Sequence, residues 1–527
     1  MDRFHVPSIS VAVLKGNETY LDVSVALEIL TAVVSHNEEQ SFGYAVLPDT
    51  PATPDTLYYL ASCTKSFTAA SLLYTLDNYT KAHPGDRRWS IDSTLREILG
   101  EDFALPSDYA THHATPKDAL AHRLGLPRCD LSYGGEGYGM RDLIRSLRHL
   151  PAFAELRQEW RYFNQGYMLI QAVIQKLSGR WIGDVHREAI WGPLGMDSTV
   201  INLTEALDTD RQGTARLAYG YSYNPFTASV DHQPWTDTEL VGGGGIISSV
   251  SDVAKWVRAF MEGGKGLPLE KKDFEALTRP LMLTTSPGPF EHMSPLLYAM
   301  GWEETYYRGH KFVTHSGAVN GYSTRMAFMP EEQWGVVLLS NSFIYGTMAE
   351  DAVYMKLMDD FLGVEDGQRE DVAGKGERQL QSMAQAWKTS RDRVFPNVSD
   401  IPRSLPLKAY AGRYWNDGFR GLELRLESPR EFTFVKNRED PVLRADWRRL
   451  ENITIELEWV SGEQFLAWGA SEVFALLGVA VPAEFRIGDD GRVKSLGIYI
   501  EPSIIDQKVM VWFDRVGDEV QDMLGEL

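Results

Sequence analysis

Strand-like segments open and close the first 360 residues, and helical patterns fill the space between them. "PSISVAVL" (7–14) and "FGYAVL" (42–47) read as strands at the start. "KFVTHSG" (311–317), "STRMAFMP" (323–330) and "WGVVLLSN" (334–341) read as strands at the end, the last two joined by the turn-forming "PEEQ". From Ser62 onward Phe67, Ala70, Leu73 and Leu76 recur at helical spacing, and Ile170, Val173, Ile174 and Leu177 follow the i, i+3, i+4, i+7 rule. Gly179 is placed to stop that second run. Thr115, Pro116 and Asp118 spell an N-cap, a first helical position and a capping box. Ser249 or Ser251 is expected to cap a helix that follows "GGGG" (242–245). Strands at both ends enclosing helices imply an α/β (α+β) domain with a largely antiparallel sheet.

The pattern changes near residue 364. "GVEDGQREDVAGKGERQ" is charged and glycine-containing, and a short helical stretch follows it. From about residue 405 the period is two, in "LELRLE", "ITIELEWV", "EFRI", "VKSLGIYI" and "KVMVWF", with "GDDG" supplying a hairpin turn. A chain of 527 residues exceeds one ordinary domain. The expected organisation is residues 1–364 as an α/β domain, 365–404 as a charged linker with a short helix, and 405–527 as a small β-barrel or sandwich.

Net charge and hydropathy exclude several function classes. A net charge of −21 argues against a nucleic-acid partner, since phosphate binding needs a basic surface. No run of about 18 apolar residues occurs, so no membrane-spanning helix is expected. The N-terminal "MDRFHVPSISVAVL" lacks a signal-peptide apolar region, which makes a soluble cytoplasmic chain the expectation. The Asn-x-Ser/Thr sequons at Asn17, Asn78, Asn202, Asn397 and Asn452 hint only faintly at secretion. Two cysteines, Cys63 and Cys129, cannot build a disulfide framework, and Cys63 reads as a small buried filler.

Three short motifs carry the chemistry. In "YLASCTKSFT" (59–68) Ser62 and Lys65 stand three apart at a helix start, so the lysine amine can reach the serine hydroxyl. A helix N-terminus and a desolvated amine favour proton transfer from serine to lysine. The bland alternative is a capped surface helix with a solvated lysine. "RYFNQGY" places Tyr162 and Asn164 two apart before an apolar helix, where both can face a cleft. "THSGAVNGY" places His315, Ser316, Gly317 and Ala318 at a strand end, where glycine lets a ligand approach backbone N–H groups. Trp302, Tyr306 and Tyr307 precede this segment and either line an apolar pocket or pack in the core.

In this order, Ser-x-x-Lys, Tyr-x-Asn and His-Ser-Gly resemble the serine β-lactamase and penicillin-binding-protein superfamily, specifically its class C-like esterase branch. "DALAHRLGLPRCD", "IWGPLGMDST" and "GGGGIISSVSDVAKW" add supporting matches, and the resemblance covers roughly residues 5–360. The β-rich tail is similar to the lipocalin-like domain attached to many members. The resemblance implies a β-lactamase/transpeptidase-like domain, with Ser62 as the acylated nucleophile and Lys65 as its proton acceptor. It further implies Tyr162 as the phenol assisting proton transfer and Asn164 as a substrate amide ligand. His315 would orient and polarise that phenol, and the N–H groups of Ser62 and Ala318 would form the oxyanion hole. Two-step acyl transfer of this kind needs no metal and no cofactor.

Two departures from the family pattern stand out. Residues 21–40 interrupt what is normally a hairpin. A lysine usually occupies the place of His315, so recognition of penicillin-like acids is less expected than of neutral esters, amides or lactones. The expected function is a small-molecule serine hydrolase of undetermined oligomeric state. Alternatives on the same site are an acyltransferase or peptide-cyclising enzyme, a D-amino-acid peptidase, a β-lactamase, or a binding homologue without activity. "GGGG" lacks the residues of a phosphate loop, and His112, His113, His122 and Cys129 show no recognised zinc spacing.

Overall fold

The computed structural model describes residues 1–16, 18–19, 39–86, 88–211, 217–225, 227–235, 237–284, 287–428, 441–450, 452–471, 479–501 and 509–517. The insertion read at residues 21–40 falls almost wholly outside them. Two compact units are present. One comprises residues 1–101, 109–125 and 155–379, and the other residues 102–108, 126–154 and 380–527.

The first unit is built on a ten-stranded sheet. Its order is Thr50–Pro51, Glu39–Val46, Ser8–Lys15, Trp334–Ser340, Tyr322–Met329, His310–Val319, Glu303–Tyr307, Leu297–Tyr298 and Met282–Leu283, with Glu18–Thr19 paired to Ser8–Lys15. The pairings are antiparallel, and the early strand meets the late one with Val11 opposite Leu338. Helices explain why Trp334–Ser340 is buried along its whole length. A Cβ on Gly335 would lie 3.0 Å from Met261 Sδ of the helix Val250–Met261. From the helix Ile344–Phe361, a Cβ on Gly346 would meet Ser323 and Ser340. A strand covered on both faces reads as the continuous apolar run "WGVVLL" rather than as alternation.

The local signals settle as structure. The Thr115 side chain accepts from Asp118 N–H and the Asp118 carboxylate accepts from Thr115 N–H, so the capping box forms over Pro116–Leu120. Gly179 ends Asn164–Ser178 in the left-handed region at φ 66°. Ser249, not Ser251, caps Val250–Met261; the Ser251 hydroxyl donates instead to Pro54 O.

The second unit holds a closed eight-stranded barrel, Gly412–Asn416, Arg420–Glu427, Val442–Arg448, Asn452–Ser461, Gln464–Ser471, Val479–Ile487, Val493–Ile498 and Val511–Val516. Closure comes from the first strand pairing with the last, Arg413 opposite Val516. Val394 and Phe395 pack on a patch of Val442, Val460, Leu466, Trp468 and Ala480. Residues 126–154 belong here: Arg420 bonds Asp142 at 2.9 Å, and a Cβ on Gly134 would fall 2.5 Å from Leu450 N. Among the described residues no helix is long and apolar enough to cross a membrane.

Candidate active site

Ser62 lies in a 3-10 turn, Ala61–Cys63, that runs directly into the helix Thr64–Ala82. Ala61 sits at φ 46°, a conformation costly for a residue with a Cβ, and it turns the chain so that Ser62 is half-exposed among buried neighbours. The serine makes no capping bond. Lys65 is fully buried, which excludes the solvated-lysine reading. Its Nζ lies 3.1 Å from Ser62 Oγ, 2.8 Å from Asn164 Oδ1 and 2.7 Å from Gly243 O. The rings of Tyr162 and Tyr167 stand 4.9 and 5.4 Å from it. Carbonyl oxygens only accept hydrogen bonds. Nζ donates to all three oxygens; once the proton aimed at Ser62 Oγ is lost, the remaining N–H groups keep Asn164 and Gly243 as acceptors and the lone pair faces the Ser62 hydroxyl.

Each partner is held by a separate element. Asn164 is the first residue of the helix Asn164–Ser178, whose Ile170, Val173 and Ile174 are buried, and Tyr162 lies just ahead of it. The glycine turn is clamped to both helices: Gly242 N–H donates to Gln171 Oε1 at 2.8 Å, and Thr68 Oγ1 donates to Gly242 O at 2.8 Å. That clamp aims the Gly243 carbonyl at Lys65. On the other side, His310–Val319 lies flat against the serine turn. A Cβ on Gly317 would come 2.2 Å from Leu60 O, so only glycine permits the approach. Gly301, at φ 78°, plays the same part for the loop after Tyr298, where a Cβ would sit 2.6 Å from the Lys65 carbonyl carbon.

His315 is buried, and burial, aided by repulsion from Lys65, pushes its pKa down to about 3. The imidazole is therefore neutral. Its Nδ1 donates to Ser316 O at 2.6 Å, and its Nε2 lies 3.1 Å from Tyr298 Oη. Both nitrogens are thus engaged away from Tyr162, and the two rings stand 6.5 Å apart. Ser316 is half-buried and Ala318 is exposed, flanking Gly317 on the strand that packs against the serine turn.

Trp302 departs from its expected place. It is fully buried against Phe260 and Phe328, with ring centroids at 4.7 and 5.4 Å, and it forms core rather than a substrate wall. The cause is its position just before Glu303–Tyr307, on the face that meets the helix Val250–Met261. Cys63 is buried, donates its thiol to His315 O, and has a pKa raised by burial, so it is no rival nucleophile. Among the described residues no three His, Cys, Asp or Glu side chains are grouped to hold a metal.

The motifs did not point to three further groups. The Gly243 carbonyl has no side chain to signal it; the glycine run marked only a turn. Tyr298 and His122 join the site through hydrogen bonds to His315 and to the Tyr162 segment. A lone histidine inside the apolar "DALAHRLGLP" was the available signal for His122.

A family model described as Beta-lactamase matches residues 1–358. The chain belongs to the beta-lactamase family. A second model, a domain of unknown function (DUF3471), matches residues 397–515. This beta-lactamase-family chain is 32% identical over 542 residues to an unguisins hydrolase from Aspergillus campestris, covering 100% of the chain and 92% of that protein. A second unguisins hydrolase, from Aspergillus violaceofuscus, is 32% identical over 528 residues, covering 94% and 89%. Among solved structures, the octameric penicillin-binding protein homologue from Pyrococcus abyssi superposes with a TM-score of 0.57 at 20% identity, covering 98% of this chain and 97% of that one. That likeness shows the fold. Family and full-length relatives together make the chain a beta-lactamase-family hydrolase.

Proposed function

We propose that the chain hydrolyses neutral amides or esters of small molecules or small peptides through an acyl-Ser62 intermediate. The shell of Lys65 carries this reading: two carbonyl oxygens hold its N–H groups, and Ser62 Oγ stands 3.1 Å from Nζ. Lys65 accepts the Ser62 proton as Oγ attacks the substrate carbonyl, and the amides of Ser62 and Ala318 bind the developing oxyanion. The tetrahedral adduct collapses, and the leaving amine or alkoxide departs with the proton, delivered by way of Tyr162. Water then attacks the ester carbonyl, giving its proton to the Tyr162–Lys65 pair, and Ser62 recovers its proton as the acid leaves. Asn164 and the exposed edge at Ser316–Ala318 align the substrate, while Trp302 stays in the core behind them. In domain terms, residues 1–364 carry the chemistry, 365–404 link, and 405–527 form the barrel.

The full-length relatives are named as unguisins hydrolases, which favours hydrolysis over acyl transfer here and disfavours a penicillin-like acid as the substrate. The neutral His315 points the same way. The test is intact-mass measurement of wild type and Ser62→Ala after a fluorophosphonate or activated-ester probe. A Ser62-dependent mass increase is expected; its absence would sink the proposal. Offering competing alcohols and amines then separates water from other acceptors.

A further inference from the structure

A chain of four hydrogen bonds runs behind the site, and backbone groups fix its direction at both ends. Phe163 N–H, one residue from Tyr162, donates to His122 Nδ1 at 3.0 Å. His122 Nε2 lies 3.0 Å from Tyr298 Oη, which lies 3.1 Å from His315 Nε2. His315 Nδ1 lies 2.6 Å from Ser316 O. A backbone N–H can only donate, so His122 Nδ1 is the acceptor and its proton sits on Nε2. A carbonyl can only accept, so His315 carries its proton on Nδ1 and offers a lone pair at Nε2. Tyr298 must then accept from His122 and donate to His315.

We propose that Tyr298 and His122 are positioning residues for the acyl-transfer reaction, forming a one-way relay that ties the Tyr162 segment to the His-Ser-Gly strand. The relay locks the tautomer of His315, whose Nδ1–H holds the Ser316 carbonyl and so the strand end that carries Ala318. At the other end the His122 ring packs on the Tyr162 ring, with centroids 4.3 Å apart at 34°. Lys65 Nζ stands 4.9 Å from the centroid of the same phenol ring. Tyr162 is thus seated by one end of the relay and the oxyanion strand by the other. His122 holds φ 54°, a left-handed conformation that a β-carbon makes costly, and it is buried along with Tyr298. Strain of this kind persists where surrounding contacts demand the geometry.

The inference rests on the hydrolase reading, and its test separates the two. Wild type, Tyr298→Phe, His122→Ala and His122→Gln would be titrated for reactive Ser62 with a fluorophosphonate. Turnover of a chromogenic ester would then be expressed per titrated site. Tyr298→Phe keeps the ring and removes only the hydroxyl; kcat per site should fall about 10–100-fold, with KM nearly unchanged. His122→Ala should lose at least as much, and His122→Gln, which keeps a donor near the Nε2 position, should regain part of it. A purely structural role would lower the titratable fraction and leave kcat per site intact; that outcome overturns the inference. Nitrogen-15 NMR of histidine-labelled wild type gives a readout without any variant, should the variants fold poorly. His122 should show the Nε2–H tautomer and His315 the Nδ1–H tautomer, and matching tautomers would refute the relay. A wild type that the probe fails to label sinks the hydrolase reading, whereas unchanged turnover in Tyr298→Phe sinks only the relay.

Discussion

Asn164→Asp changes one nitrogen to an oxygen and leaves no cavity, yet it should disable Lys65 as a base. The carboxamide oxygen stands 2.8 Å from Lys65 Nζ. A carboxylate at that distance attracts an ammonium by about 6 kcal/mol at an effective dielectric near ~20. Desolvating the new charge cancels much of this, and an opposite charge at contact typically shifts a titration by about 1–3 pH units. The neutral amine then becomes about 10–1000-fold scarcer near neutral pH. Single-turnover acylation of Ser62 by a chromogenic ester, followed by stopped flow across pH, is the assay. The acylation rate near neutrality should drop by that factor, and the rising limb of its pH profile should move by about 1–3 units toward alkali. Thermal stability should hold or increase, because a buried amine gains a counter-ion. An unmoved limb, whatever the rate, would refute Lys65 as the proton acceptor.

Two other perturbations bear on the surrounding frame. Gly317→Ala would place a Cβ 2.2 Å from Leu60 O, so the motif strand must retreat from the serine turn; acylation should fall by about 100-fold, and a denaturant titration should show a loss of about 1–3 kcal/mol. Wild-type acylation would mean the strand does not supply the oxyanion amide. Glu303 is pushed up from 4.5 to about 7 by burial, with Arg325 opposing. Its raised folded-state value means the folded protein favours the protonated acid, so this residue's contribution to stability declines as pH rises from about 4.5 to about 7. Glu303→Gln should therefore exceed wild type by up to about 3 kcal/mol above neutrality and match it near pH ~4, measured by chemical denaturation. Equal stability at high pH would contradict the buried-acid assignment.

What the residues alone disclosed was whatever local chemistry decides. Thr115 with Asp118, Gly179 and Ser249 act within a single turn of helix, so their letters suffice. The period-two run after residue 405 became the barrel because alternation sorts side chains to two faces without reference to anything distant. The three aromatics before His-Ser-Gly show where this stops. Trp302 is core, Tyr306 is exposed, and Tyr307 is buried with its hydroxyl on Asp359. Neighbours in sequence went to different surroundings because the adjoining helix, not spacing, chose the face. Residues 126–154 cluster with the barrel for an equally nonlocal reason, and Gly243 contributes a carbonyl that every residue possesses.

The same electrostatics connects the lysine shell to the identity of the third motif. In the third motif this chain has an imidazole that burial keeps neutral and that hydrogen bonds hold at both nitrogens. A substrate carboxylate entering near Lys65 would meet no compensating charge from the His315–Gly317 motif. It would act on the amine as the new carboxylate does in the Asn164→Asp variant, holding it protonated. A second cation in that motif would absorb that carboxylate and leave the base free. A neutral third motif suits a lysine base best when the substrate brings no negative charge to the reacting bond, and His315 and Lys65 together, rather than either alone, support the proposed neutral amide or ester.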